Sequence, residues 1–107
     1  MNHVRDKEVV KTLKKAKKLL KSGWTKLASA RNKYGNPVSI DCKNAVRFCA
    51  SGAVLRSTQD EATQNRIYGL FDILLRESIV AYNDRYHVSK NDILDVFDKA
   101  IKNASSK

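Results

Sequence analysis

A chain of 107 residues with 21 Lys and Arg against 11 Asp and Glu carries a net charge of +10, and has only one Pro, four Gly and two Cys. That length suits one domain, able to bury roughly 65% of its unfolded surface without metals or disulfides. The composition is that of a soluble globule: no apolar run nears the ~20 residues of a membrane span, and no apolar segment follows the basic N-terminus as a secretory signal requires. The expectation is a single helical domain over residues 1–107, cytoplasmic, without cofactor, metal or membrane partner, with residues 1–4 and 104–107 frayed.

The charge is uneven. Residues 1–21 hold Arg5, Lys7, Lys11, Lys14, Lys15, Lys17, Lys18 and Lys21 against Asp6 and Glu8, a balance of +6. Residues 22–47 add +4, residues 48–80 come to −1 and residues 81–107 to +1. The second half therefore reads as scaffold. Helix one is expected from Arg5 to Leu20. At about 100° per residue, Val9, Leu13, Ala16 and Leu20 share a narrow sector flanked by Val10 and Leu19. Lys7, Lys11, Lys14, Lys15, Lys18 and Lys21 lie opposite, with Lys17 at the border. Ser22-Gly23 ends the helix, with Gly23 expected in the left-handed closing conformation. Trp24 follows, read first as a packing anchor and second as a stacking platform.

Residues 25–40 break the helical pattern, and Asn32-Lys33-Tyr34-Gly35-Asn36-Pro37 is dense in turn formers. Lys26–Arg31 and Val38–Ile40 pair as a short hairpin or form a loop, with Arg31 and Lys33 exposed near the tip. Asp41 is the expected N-cap of helix two, Cys42–Arg56. Cys42, Ala45, Val46, Cys49 and Ala53 line one face of it, and Gly52 marks close contact with another helix. Cys42 and Cys49 on one helix stand about 10 Å apart, too far for a bridge. They read as small buried hydrophobes in a reducing compartment rather than redox groups.

Helix three is expected from Glu61 to Ala81, burying Ile67, Leu70, Phe71, Leu74, Leu75 and Ser78. Tyr82-Asn83-Asp84 follows. Ser89 and Asp92 then resemble a capping box for helix four, which runs to Asn103 and buries Ile93, Val96, Phe97, Ala100 and Ile101. The fold class is thus all-α or mostly α: a compact four-helix domain with a hairpin or loop at residues 25–40.

Gly23-Trp24, Cys49-Ala50-Ser51-Gly52-Ala53, Tyr82-Asn83-Asp84 and Phe97-Asp98-Lys99-Ala100-Ile101, in that order, resemble a family of small bacterial and phage proteins catalogued as a domain of unknown function. The resemblance spans residues 5–103. It implies a helical fold and a phage or mobile-element origin, and makes inhibition of a host or defence (CRISPR-like) machine a natural role. It supplies no activity.

No phosphate loop, nucleophile elbow or metal motif is present. A Cys49–His87–Asp84 set can be drawn as nucleophile, base and orienter, but Cys49 on a small-residue face reads as inert. Asn83 and Asp84 read first as caps between helices. The competing reading is a small anionic-ligand or nucleotide pocket, with Trp24 as wall and Tyr82, Asn83 and Asp84 around it. The lysines of helix one have few acidic partners at i,i+4, and four like-charge pairs (Lys7–Lys11, Lys11–Lys15, Lys14–Lys18, Lys17–Lys21) repel. A partner of opposite charge is expected: nucleic acid, or the acidic or nucleic-acid-binding surface of a protein. It would meet Lys7, Lys11, Lys14, Lys15, Lys18 and Lys21, extended by Arg31, Lys33, Lys43 and Arg47. Lysine in place of arginine favours phosphate contact over base reading.

Overall fold

The computed structural model describes residues 3–105, with side chains from Lys7 onward. The element order is α1 (His3–Ser22), β1 (Ala30–Arg31), β2 (Arg47–Phe48), α2 (Ala50–Ser57), α3 (Glu61–Leu75), α4 (Ile79–Asn83) and α5 (Lys90–Ser105). The fold is mostly helical, as expected, with a two-stranded antiparallel sheet and two isolated β-bridges, Trp24 to Phe48 and Arg31 to Pro37, among the described residues.

The apolar sector of α1 is the spine of the core. Val9, Leu13, Ala16 and Leu20 are buried against α2, α3 and α5. From the other side, Phe71 on α3 and Phe97 on α5 meet with ring centroids 5.0 Å apart and planes tilted by 56°, a favoured aromatic geometry. Ser89 and Asp92 form the reciprocal cap that starts α5: Ser89 N–H donates to Asp92 Oδ2 (2.8 Å) and Asp92 N–H to Ser89 Oγ (3.3 Å). His3 and Val4 lie in α1, and Ala104 and Ser105 lie in α5 with Ala104 buried. Residues 1, 2, 106 and 107 lie outside the described residues.

Several local expectations are corrected. Helix two is only Ala50–Ser57, capped by Cys49, whose Sγ accepts from Gly52 N–H (3.2 Å), and not by Asp41. Strand pairing claims the preceding residues. Val46 N–H donates to Arg31 O (2.9 Å), Phe48 N–H to Gly23 O (3.0 Å) and Cys49 N–H to Ser29 O (3.1 Å), so this backbone meets its obligations across the chain instead of within a turn of helix. Cys42 and Cys49 therefore do not share a helix, although both thiols are free. Ala30–Arg31 pairs with Arg47–Phe48 as a strand ladder, while within residues 25–40 Arg31 forms a single antiparallel bridge with Pro37. The tip nonetheless closes tightly, with Val38 N–H donating to Ala30 O (3.0 Å) and Asn32 N–H to Asn36 O (2.9 Å).

Helix three stops at Leu75. Arg76 takes the left-handed conformation (φ 58°) and Ser78 Oγ accepts from Ala81 N–H to start α4. Ser78 is thus an exposed cap and not part of the buried stripe. Gly23 does not close α1 in a left-handed conformation, since Gly35 is the positive-φ glycine among the described residues. Gly23 is required for space: an added Cβ would sit 2.2 Å from Val46 O. Gly52 likewise faces Ser29 O, 2.1 Å from an added Cβ, so its close neighbour is a loop backbone and not a helix.

Candidate nucleic-acid interface and the Asn83 clamp

The polar groups singled out by sequence separate into two sets. The first surrounds Asn83, which is 0% exposed. Its Oδ1 accepts from Trp24 Nε1–H (2.8 Å) and from Ala50 N–H (2.9 Å) at the start of α2. Its Nδ2 donates to Thr25 O and to Asp84 Oδ1 (3.1 Å each). One side chain thus fills two acceptor and two donor positions, the full capacity of an amide. Asp84 Oδ1 also accepts from Leu27 N–H (2.9 Å), which holds Leu27 at φ 66°. Trp24 is half-buried against the core, and Tyr82 packs on the same core. The Asn83 amide is thus engaged on every side and ties the Trp24 loop, α2 and α4 together.

A shallow cleft of about 240 Å³ beside this clamp is lined by Leu27, Ala28, Ser29, Cys49, Ser51, Val80 and Asp84. Burial pushes the Cys49 thiol up from its ordinary pKa, opposed by backbone hydrogen bonds from Gly52 and Ser51. A thiol so held is a poor nucleophile at neutral pH. Among the described residues, no hydrogen bond joins Cys49 to His87 or Asp84, and no group of three or more His, Cys, Asp and Glu is placed to hold a metal ion. No described helix is long and apolar enough to cross a membrane.

The second set is the lysine face of α1. Lys7, Lys11, Lys14, Lys15, Lys18 and Lys21 are all exposed. From Lys7 to Lys21 the face runs about 21 Å at 1.5 Å per residue. Among the described residues, the α1 lysine in an ion pair is the border one: Lys17 pairs with Asp98 of α5. Lys14, Lys17, Lys18 and Lys21 line an open groove of about 580 Å³ between α1 and α5, with Asp98 and Ile101 on its far side. The segregation follows from the helical period, which buries four apolar positions and turns the ammonium groups away from the core.

The four proposed extensions divide. Arg31 is half-buried, and its guanidinium donates to Thr25 Oγ1 (2.8 Å), Gly35 O (2.9 Å) and Lys26 O (3.1 Å). It braces the loop and is not the exposed tip cation expected. Lys33 and Lys43 line a second groove, of about 280 Å³, with Asn32, Tyr34, Asn44 and Val46. Arg47 is exposed on β2, where its Cγ approaches Gly23 at the end of α1. Tyr34 was missed: it is 76% exposed, with Lys33 Nζ 5.2 Å from its ring centroid. An aromatic residue next to Lys33 inside a turn-forming run was the available signal.

No curated protein and no solved structure matches the chain. The Trp24–Asn83 clamp, the Cys49-capped α2 and all but the last two residues of α5 lie within residues 4–103, the stretch over which the chain matches, and belongs to, the family of unknown function DUF6197.

Proposed function

We propose that the protein is a non-enzymatic binding protein that contacts nucleic acid or a nucleoprotein through the lysine face of α1. One observation carries this reading. Six exposed ammonium groups stand on one helix face with no carboxylate pairing them among the described residues, while the opposite face of that helix is buried. Like charges at i,i+4 cost a few tenths of a kcal/mol per pair. A polyanion relieves that repulsion and releases its own counterions on binding. The face spans about six base-pair steps at 3.4 Å each, and its lysines suit phosphate oxygens without base preference. The free thiols agree with a reducing, cytoplasmic setting, and a phage or mobile-element origin belongs to the same proposal.

Fluorescence anisotropy against a labelled duplex tests it. Six phosphate contacts predict a log–log salt slope of about −5, and replacing Lys7, Lys11, Lys14, Lys15, Lys18 and Lys21 with Gln should collapse that slope towards zero. Salt-insensitive binding, or none to any nucleic acid at low salt, would refute the reading. A single stoichiometric protein partner that survives nuclease in a pull-down would point instead to an inhibitor docking on an acidic protein surface.

A further inference from the structure

We infer that the groove between the Asn32–Asn36 turn and the Lys43–Val46 segment is a site for single-stranded nucleic acid, with a base stacked on Tyr34 and its phosphate held by Lys33 and Lys43. The inference rests on the nucleic-acid reading of α1 and assigns it a strand preference.

Three observations combine. Tyr34 presents a large ring at 76% exposure, and solvent-facing aromatics beside cations are the platforms on which unpaired bases stack. The groove lining of Asn32, Lys33, Tyr34, Lys43, Asn44 and Val46 contains two ammonium groups and no carboxylate. Lys33 Nζ already lies 5.2 Å from the Tyr34 centroid, so a phosphate next to a stacked base falls within that cation's reach.

The walls are also rigid. Asn32 Oδ1 accepts from Tyr34 N–H (2.9 Å) and Asn36 N–H (3.0 Å), and Gly35 N–H donates to Asn32 O (3.0 Å). Arg31 Nη1 clamps Gly35 O from beneath. Opposite, Ala45 N–H donates to Cys42 O (3.0 Å), and Arg56 donates to Ile40 O and Cys42 O. A backbone fixed before binding leaves only the Tyr34 side chain to be ordered on stacking. Val46, in the groove wall, abuts Gly23 through its carbonyl, which joins this groove to the end of α1 two residues past Lys21. A duplex offers its phosphates but keeps its bases stacked inside, so only a single strand satisfies Tyr34 and the lysines together.

Anisotropy titrations with labelled 12-nucleotide oligo(dT), 12-nucleotide oligo(rU) and a 12-base-pair duplex test this on the full chain. Tyr34→Ala should weaken single-strand binding about tenfold, the scale of one lost stacking contact, and change duplex binding less than twofold. Tyr34→Phe should restore it, and Lys33→Gln with Lys43→Gln should lower the salt slope on the single strand. Unchanged thermal unfolding would show that each variant folds. A Tyr34→Ala variant that binds single strands like the parent, or loses the same factor on duplex, overturns the inference while leaving the α1 reading intact. If replacing the six α1 lysines leaves single-strand binding intact and dependent on Tyr34, the α1 reading fails and the groove stands. Loss of the oligo(dT) effect with retention of the oligo(rU) effect would assign the site to RNA.

Discussion

The Asn83 clamp and the α1 lysine face are both dense in polar groups, yet they obey opposite rules. Around Asn83, every donor and acceptor of the amide finds a partner within 3.1 Å inside the chain. Along α1, charge accumulates, and among the described residues one carboxylate, Asp98, pairs with an α1 lysine, at the margin. Buried polarity must be satisfied internally or it destabilises the fold. Exposed polarity carries no such obligation, because water solvates it. The lesson is that polar residues with complete internal partners explain the architecture, and those without internal partners are where an external partner is to be sought.

The sharpest way to break this contrast is Asn83→Ala. It orphans Ala50 N–H, Thr25 O and the Trp24 indole N–H together, and should cost about 3–5 kcal/mol of unfolding free energy. Urea denaturation followed by Trp24 fluorescence would measure it, and a loss below about 1 kcal/mol would mean that the clamp is incidental. The α1 face predicts the reverse sign. Replacing Lys7, Lys11, Lys14, Lys15, Lys18 and Lys21 with Gln removes the four i,i+4 repulsions and should raise stability by about 1 kcal/mol at low ionic strength. Added salt should erase most of that gain.

The smallest effect concerns the α5 cap. The backbone N–H of Ser89, together with its hydroxyl, holds the Asp92 carboxyl below its usual range. Its folded pKa is lower than its unfolded one, so its contribution is fully present above about pH 5 and fades as pH falls through the depressed value. In Asp92→Asn, stability should therefore fall less steeply between pH 5 and pH 3 than in the parent, as thermal melts across that range would show.

Features set by local rules were legible from residues alone. The period of Val9, Leu13, Ala16 and Leu20 located the buried face of α1 and, by subtraction, its lysine ridge. The Ser89–Asp92 spacing located the start of α5. Apolar residues on both sides of Arg76-Glu77-Ser78 concealed the break at Arg76 and the Ser78 cap of α4. Features set by distant partners were not legible. Phe48 is helical by local pattern and becomes a strand because Gly23 and Thr25, far back in the chain, offer it hydrogen bonds. Arg31 looked like a free cation at a tip, and three acceptors that converge only after folding hold its guanidinium.

The amino-acid order by itself determined that this protein is predominantly helical and that one face of its first helix is cationic, because a helix repeats every 3.6 residues whatever surrounds it. Only the tertiary structure decided that the Asn83 amide fastens the Trp24 loop to α2, that Cys49 caps a short α2, and that Tyr34 shares a groove with Lys43. Each of those outcomes depends on atoms brought together from separate segments, and sequence spacing carries no record of such meetings.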